Sequence, residues 1–307
     1  MKFTPTQTAF GRHETFALRY SWLSKGFHAY CAFPKSLDQD DAPVRLGVGK
    51  NMVLSIKYWL KACQLIDAES GEATAIGRLI FDKEEGLDPY LEDEATIWLI
   101  HWLIATNPAQ ATSWYWFFNK YHKPVFTSSE LVTALGDWVR DVIIDGKRPS
   151  ASTLKNDAQL IHRMYTQSRG NTRMPLEEAL DSPLSLLRLM AQAAGGREFQ
   201  SKLEERSGLS IGVFGFAVLS LVQERGVKAL PLDDLMYSRA EFPAPGPIFR
   251  LTENDLVTKL EKLVMMYPEY FEIRETAGIH QLYLLQDMDA HELLQNHYEK
   301  SFQGAVA

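Results

Sequence analysis

A dense run of aromatic residues between positions 88 and 121 restricts the fold of this chain more than any other feature. Trp98 and Trp102 lie four positions apart, which places both indoles on one face of a helix. Rings this large need a core around them, so we predict a helical core here, with base stacking as the alternative role. The run comprises Tyr90, Trp98, Trp102, Trp114, Tyr115, Trp116, Phe117, Phe118 and Tyr121.

The chain is long enough for more than one hydrophobic core. Its 307 residues exceed the usual size of a single core and 46% of them are hydrophobic, so two or three modules are expected. No apolar run reaches the ~18 residues of a membrane span. Residues 1–7 lack the apolar segment of a signal peptide. These observations predict a cytoplasmic protein with no membrane contact.

The chain contains two cysteines, Cys31 and Cys63, both in apolar and helical sequence surroundings. We interpret them as buried free thiols in a reducing compartment. Two cysteines in this context provide too few ligands for a zinc finger, so that class of DNA-binding protein is excluded.

The net charge of −7 is unevenly distributed along the chain. Residues 1–61 carry +5 and residues 140–173 carry +4, whereas residues 62–139 and 174–307 each carry −8. An anionic polymer responds to local charge and not to the total. The two basic blocks are therefore candidate DNA-binding regions, although such alternation also arises by chance.

The first basic block ends in a predicted helix with two distinct faces. At 100° per residue, Lys50, Lys57 and Lys61 fall on one side, with Asn51 beside them at the first turn. A line of lysines can follow a phosphate backbone or enter a groove of DNA. The alternative is an ordinary amphipathic helix whose polar face is basic. The opposite, apolar face comprises Met52, Val53, Ile56, Trp59, Leu60 and Cys63.

Residues 1–86 are predicted to form an N-terminal winged helix-turn-helix-like DNA-binding module. Residues 10–25 have helical spacing, and Gly26 is typical of a helix C-cap. Residues 73–81 partly alternate and predict a strand. Arg12 and His13 lie on the first predicted helix and are candidate DNA contacts, although lone polar residues on a helix are usually solvated.

Residues 87–205 are predicted to form a helical middle with a second helix-turn-helix-like segment. Residues 127–130 fit a capping box that opens a helix over residues 131–142. A turn then leads into another two-faced helix, on which Leu154, Ala158, Ile161 and Tyr165 lie together. The candidate DNA contacts on its polar side are Lys155, His162 and Arg163.

Residues 206–307 are predicted to form a C-terminal winged-helix-like module and a tail helix. Helices are expected at 212–225, after Pro231 and from Thr252 to Met266, followed by a hairpin. This block is acidic. Docking of another protein or completion of a core is therefore favoured over DNA binding as its role. The predicted class is mainly α with small β wings, with winged helix-turn-helix modules at both ends around an aromatic-rich helical middle.

Three carboxylates at the start of the aromatic run form a candidate catalytic site. On a helix, Asp88 and Glu92 would share one Mg²⁺ (or Mn²⁺) with Asp93 beside them, an arrangement suited to phosphodiester cleavage. The alternative is that these acids charge a helix N-terminus and are solvated. Residues 46–50 superficially match a phosphate loop, but the full Walker spacing is absent.

Four separated motifs resemble a bacterial family of unknown-function domains encoded beside DNA phosphorothioation genes, with the SspB-type DNA nickases as its named members. The similarity extends over nearly the whole chain. The motifs are Phe10-Gly-Arg-His-Glu-Thr-Phe16, Leu46-Gly-Val-Gly-Lys-Asn-Met-Val53, Asp88-Pro-Tyr-Leu-Glu-Asp93 with Trp98 and His101-Trp102, and Thr153-Leu-Lys-Asn-Asp157.

The resemblance implies a cytoplasmic protein of an anti-phage defence system that nicks one DNA strand so that sulfur can replace a phosphate oxygen. It implies double-stranded DNA, a sulfur-transfer enzyme and an ATPase as partners. Carried over by position, the DNA contacts are Lys50, Asn51, Lys57 and Lys155. The alternatives are a non-catalytic DNA-binding adaptor that recruits the sulfur-transfer enzyme and a transcriptional regulator.

Overall fold

The computed structural model of the chain describes residues 1–33, 35–144, 148–167, 182–239, 241–276 and 278–306. They form two compact units. The larger unit comprises residues 4–116 and 123–202, and the smaller unit comprises residues 1–3, 117–122 and 203–307. Helices dominate both units and each contains one three-stranded sheet, which confirms a mainly α fold with small β parts. None of the described helices is both long and apolar enough to cross a membrane.

The larger unit begins with helices α1 (Tyr20–Ala32), α2 (Ala42–Leu46), α3 (Lys50–Ala62) and α4 (Ala75–Phe81), with a 3₁₀ turn at Ser36–Asp38. Helix α1 begins at Tyr20 and not at residue 10, because positive φ angles at Gly11, Glu14 and Thr15 turn the preceding chain.

Gly26 lies within α1, so its prediction as a C-cap is wrong. A Cβ atom on Gly26 would stand 2.5 Å from Ile56 Cγ2. The glycine therefore allows α1 and α3 to approach more closely than a larger residue would permit.

Helix α4 replaces the strand predicted at residues 73–81. The side chain of Thr74 caps it by accepting a hydrogen bond from Gly77 N at 3.0 Å, and this local cap favours a helix. Across the described part of the predicted N-terminal module, strand pairing is limited to one bridge between Ile66 and Ala73. The wing expected there is therefore missing.

Helices α5 (Glu94–Ala105) and α6 (Thr112–Asn119) contain most of the aromatic run. Every ring of that run is buried except Tyr90, whose exposed fraction is 57%. The rings also pack against the basic helix, as in the edge-to-face contact of Trp114 with Trp59 at 5.4 Å between centroids. The prediction of a helical aromatic core is confirmed.

Both cysteines are free thiols. Cys63 is buried directly after α3, and burial raises the pKa of its thiol. Cys31 is exposed near the end of α1. The prediction that both thiols are buried is therefore wrong for Cys31, which faces solvent.

The larger unit ends with strand β1 (Val125–Thr127), helices α7 (Ser128–Val142) and α8 (Ala151–Tyr165), a 3₁₀ turn (Pro183–Leu187), and strands β2 (Ala191–Gln192) and β3 (Glu198–Gln200). The strands form an antiparallel sheet in the order β1-β3-β2. Thr127 and Glu130 form the predicted capping box at the start of α7.

The smaller unit contains α9 (Ile211–Arg225), β4 (Ala229–Pro231), α10 (Leu232–Met236), α11 (Pro245–Phe249), α12 (Glu253–Met266), β5 (Phe271–Thr276), β6 (Ile279–Leu284) and α13 (Ala290–Val306). Its antiparallel sheet has the order β4-β6-β5. The predicted helices, hairpin and tail helix are confirmed. Strand β4 was not predicted, because three residues ending in proline carry little periodicity.

Candidate nucleic-acid interface

Helix α8 presents a polar, partly cationic face to solvent. Ser150 begins the helix, since its side chain accepts a hydrogen bond from Thr153 N. The predicted apolar face is confirmed by the burial of Leu154, Ala158, Ile161 and Tyr165. The exposed side chains on the other side are Ser152, Lys155, Asn156, Gln159 and Arg163.

His162 does not share that exposed face. Its ring is 6% exposed and stacks on Phe199 with 3.8 Å between ring centroids. Desolvation lowers the pKa of His162 to about 4, so the ring is neutral at pH 7. A buried neutral ring offers DNA no charge, so its predicted role as a direct contact does not fit its position. The sequence missed this because β3, which covers the ring, lies far along the chain.

A surface cleft of about 430 Å³ separates the exposed side of α8 from α7. Ser128 and Ser129, in the first turn of α7, line one wall, and Lys155 and Gln159 line the other. His162 also lines the cleft, and its Nδ1 lies 3.2 Å from Ser128 Oγ. The cleft adds two serine hydroxyls to the polar surface of α8.

A buried carboxylate attaches an N-terminal turn to α8. Asp157, which is 1% exposed, accepts hydrogen bonds from Gly11 N at 2.9 Å, Ser113 Oγ at 2.6 Å and His13 Nε2 at 2.9 Å. His13 is equally buried. Its prediction as a DNA contact on a helix is therefore wrong in both placement and exposure, because the ring is turned inward to satisfy Asp157.

The same attachment brings two predicted DNA contacts to one helix. Arg12 is exposed and lies between Gly11 and His13, which both donate hydrogen bonds to Asp157. Arg163 Nη1 donates to Thr15 O at 3.3 Å. Arg12 and Arg163 thus flank one turn, although they are far apart in sequence. The sequence motifs include Asp157 but predict no role for it or for Ser113, since no local pattern links either residue to residues 11–15.

The three lysines of α3 have different surroundings. Lys50 and Asn51 are exposed at its first turn. Lys57 forms an ion pair with Asp38, and Lys61 Nζ donates to Ala68 O at 3.1 Å. The helix and its two faces were correctly predicted. Of the predicted line of three lysines, however, Lys50 at the N-terminal end is the exposed one.

A second cleft of about 640 Å³ lies beside that end of α3. Arg19, Tyr20 and Lys25 of the α1 region line one side, and Gly49 and Met52 line the other. The two cationic side chains that line the cleft, Arg19 and Lys25, both come from the α1 region, and Lys50 directly follows its Gly49 wall in sequence.

The three candidate carboxylates do not lie on one helix. Helix α5 begins at Glu94 with Asp93 as its N-cap, so the helical spacing assumed for Asp88 and Glu92 is wrong. Asp88 is 5% exposed, and its oxygens accept hydrogen bonds from Glu92 N, Asp93 N and Thr96 Oγ1. These bonds hold the chain that leads into α5.

Asp93 Oδ1 is likewise bonded to Ala95 N at 2.8 Å, whereas the Glu92 side chain is exposed. Within the described ranges, no group of three or more His, Cys, Asp or Glu side chains is arranged to hold a metal ion. In this structure the buried Asp88 carboxylate therefore serves the chain that leads into α5.

Three comparisons place the chain among known proteins. A family model described as a protein of unknown function (DUF4007) matches residues 10–298. A magnesium ion-bound SspB crystal structure is similar with a TM-score of 0.81 and 29% identity, over 96% of this chain and 89% of that one. A further SspB crystal structure gives a TM-score of 0.80 and 29% identity over the same shares. No curated protein matches the chain.

Proposed function

The chain belongs to the DUF4007 family and has the fold of SspB, and we propose that it is a DNA-binding protein of a bacterial phosphorothioation system. In this proposal it nicks one strand of double-stranded DNA, which permits a sulfur-transfer enzyme to replace a phosphate oxygen by sulfur. The ATPase of the system is the third proposed component. The setting is cytoplasmic anti-phage defence.

The exposed face of α8 is the observation that carries DNA binding. Lys155 and Arg163 supply positive charge, and Asn156 and Gln159 supply amides that donate and accept hydrogen bonds. Phosphate contacts position a protein on a duplex, whereas base contacts specify a sequence. A rigid helix that offers both kinds of group suits DNA better than it suits a small metabolite.

Phosphate contacts are proposed at two further places. Lys50 and Asn51 stand exposed at the start of α3, next to the cleft that Arg19 and Lys25 line. Arg12 lies on the turn attached to α8. Lys57 and Lys61 contribute less in this proposal, because each is only half-exposed and is engaged by an oxygen of the chain, whereas Arg163 is exposed.

Strand cleavage with Mg²⁺ or Mn²⁺ is proposed as the activity. One of the two SspB structures holds magnesium, which supports testing that ion here. Protein-bound Mg²⁺ usually takes one or two carboxylates, with waters and substrate phosphates completing its shell. Of the three acids considered, Glu92 alone has an exposed side chain, so we propose it as the catalytic candidate. Asp88 and Asp93 instead hold the start of α5.

A non-catalytic adaptor is the second candidate. The observation that favours it is the engagement of the buried Asp88 by three donors, which leaves Glu92 as the one exposed acid of the three considered. In this alternative, the protein binds DNA and recruits the sulfur-transfer enzyme.

A supercoiled-plasmid assay separates the two candidates. Purified protein is incubated with plasmid in Mg²⁺, in Mn²⁺ and in EDTA, alongside Glu92→Ala. A nickase produces open circles that require the metal. Loss of these circles in Glu92→Ala would support its catalytic role. Intact plasmid with retarded mobility would support the adaptor, and intact plasmid with unchanged mobility would contradict both.

A further inference from the structure

Among the described residues, the two units contain the same succession of strands and helices apart from insertions. In the larger unit the order is β1-α7-α8-β2-β3, with the 3₁₀ turn Pro183–Leu187 between α8 and β2, and in the smaller unit it is β4-α10-α12-β5-β6, with α11 inserted. In both sheets the third strand lies between the first and second. A helix, α6 or α9, precedes each succession. This is the order of elements in a winged helix-turn-helix, whose third helix is the one that enters DNA.

The third helix is α8 in the larger unit and, leaving out the inserted α11, α12 in the smaller unit. These two helices correspond residue by residue. Ser150 caps α8 by accepting from the backbone N–H three positions on, and Thr252 caps α12 in the same way. Counted from these caps, Asp157 and Lys259 occupy the same position, and each is a buried charged residue. The alignment needs no gap along the helix, so the exposed positions of α8 and α12 can be compared directly.

The exposed positions differ in chemistry between the two helices. Helix α8 exposes two cations and two amides, whereas α12 exposes two apolar residues, a threonine and an acid at the same positions. The matched pairs, α8 first, are Lys155 with Val257, Asn156 with Thr258, Gln159 with Glu261 and Arg163 with Met265. Charge complementarity with DNA therefore selects α8 and disfavours α12.

The hairpin formed by β2 and β3 carries one exposed cation next to one exposed acid, Glu198. Strands β2 and β3 are joined through Ala193 and Gly196, with Gly196 N bonded to Ala193 O at 2.9 Å. Gly196 has φ +72°, and no heavy atom lies within 4 Å of the position that its Cβ would take. Arg197 is exposed next to this open tip. The hairpin is therefore placed as the wing of the module and carries one cation.

We infer that β1, α7, α8, β2 and β3 form the DNA-reading module, with α8 in the major groove. In this inference Asn156 and Gln159 bond base edges, while Lys155, Arg163 and Arg197 bond phosphates. A side-chain amide bonds the N6 and N7 atoms of adenine as a pair, so recognition includes A·T pairs. The inference rests on the proposed DNA binding and extends it, because it assigns sequence discrimination to two residues and affinity to three.

The test begins with a randomised duplex library, from which the wild-type chain selects its bound sequences. Affinity for the selected duplex and for a scrambled duplex is then measured by fluorescence anisotropy over a salt series. Asn156→Ala with Gln159→Ala is expected to reduce discrimination about 5- to 150-fold per lost base contact and to leave the salt dependence unchanged. Arg197→Ala is expected to weaken binding to both duplexes equally and to reduce the salt slope by about one.

Thr258→Ala with Glu261→Ala, at the matched positions of α12, is the control and is expected to change neither quantity. Three outcomes would overturn the inference and leave DNA binding intact. The amide variant could keep full discrimination, the α12 control could lose it, or the wild type could show no sequence preference. Failure of the wild type to bind any duplex would overturn the proposed function itself. The substituted side chains are exposed, and an unchanged thermal transition would confirm that each variant folds.

Discussion

His13 donates its Nε2 proton to Asp157, with 2.9 Å between the two atoms and 144 positions between the residues. The proton lies on Nε2 because His13 Nδ1 accepts a hydrogen bond from Thr15 N at 3.0 Å. Both side chains are 1% exposed. This pair, which joins the first motif of the chain to the last, holds the N-terminal turn against the helix proposed to enter DNA.

Removal of that carboxylate is expected to destabilise the chain. Asp157→Ala would leave two buried donors, His13 Nε2 and Ser113 Oγ, and the half-buried Gly11 N without an acceptor. We expect the free energy of unfolding to fall by about 3 kcal/mol, measured by urea denaturation. The neighbouring Asn156→Ala is the control and should change it by less than about 0.5 kcal/mol. Equal stability of the two variants would contradict a structural role for Asp157.

His162 is expected to make stability depend on pH. Its pKa falls from the ordinary 6.5 to about 4 in the folded chain because burial disfavours the charged ring. The unfolded chain therefore binds more protons between pH 6.5 and 4, so this contribution is complete above pH 6.5 and is lost as the pH falls toward 4. The loss of unfolding free energy between pH 7 and pH 5 is the quantity to measure. It should be about 2 kcal/mol smaller in His162→Phe than in the wild type. An unchanged difference would contradict the burial of the ring.

Substitution of Asp88 is expected to lower the stability of the fold, whereas substitution of Glu92 is expected to leave stability unchanged and to affect cleavage. Asp88→Ala would leave Glu92 N, Asp93 N and Thr96 Oγ1 without their acceptor, so the free energy of unfolding should fall by about 2 kcal/mol or more. Glu92→Ala should leave it within about 0.5 kcal/mol of wild type. Thermal or urea unfolding of both variants beside the plasmid assay separates loss of folding from loss of cleavage. A fully stable Asp88→Ala protein without cleavage would restore Asp88 as a catalytic candidate.

The lysines of α3 are expected to contribute unequally to DNA binding. Lys50 is exposed, whereas Lys57 is paired with Asp38. Lys50→Ala should lower the slope of log affinity against log salt by about one, and Lys57→Ala should lower it by less. Affinity measured at four or more salt concentrations distinguishes the two slopes. A larger effect from Lys57→Ala would mean that DNA displaces Asp38, and no effect from either would remove α3 from the interface.

Two glycines provide a matched test of helix packing. Gly26→Ala places a methyl group 2.5 Å from Ile56 Cγ2 and should lower the free energy of unfolding by about 1–3 kcal/mol through overpacking. Gly136, inside α7, has no heavy atom within 4 Å of its potential Cβ. Gly136→Ala should therefore raise stability by about 0.5–1 kcal/mol, because alanine favours a helix. If the two glycine-to-alanine substitutions changed the free energy of unfolding with the same sign, the close approach of α1 and α3 would be contradicted.

Local and periodic features were predictable from the sequence. The capping box at Thr127, the two faces of α3 and α8, and the hairpin after α12 depend on residues within a few positions of one another. Capping hydrogen bonds and the 3.6-residue period act at that range, so the sequence alone determines them. The motifs also indicated the family, which the match over residues 10–298 confirms.

Only the tertiary structure decided what several polar residues do. His13 and His162 have ordinary sequence surroundings, yet each is buried against its own hydrogen-bond or stacking partner. For His13 that partner lies 144 positions away. A desolvated polar group must find a partner wherever the fold supplies one. Burial and partner choice therefore depend on long-range packing, which neither helical period nor local charge encodes.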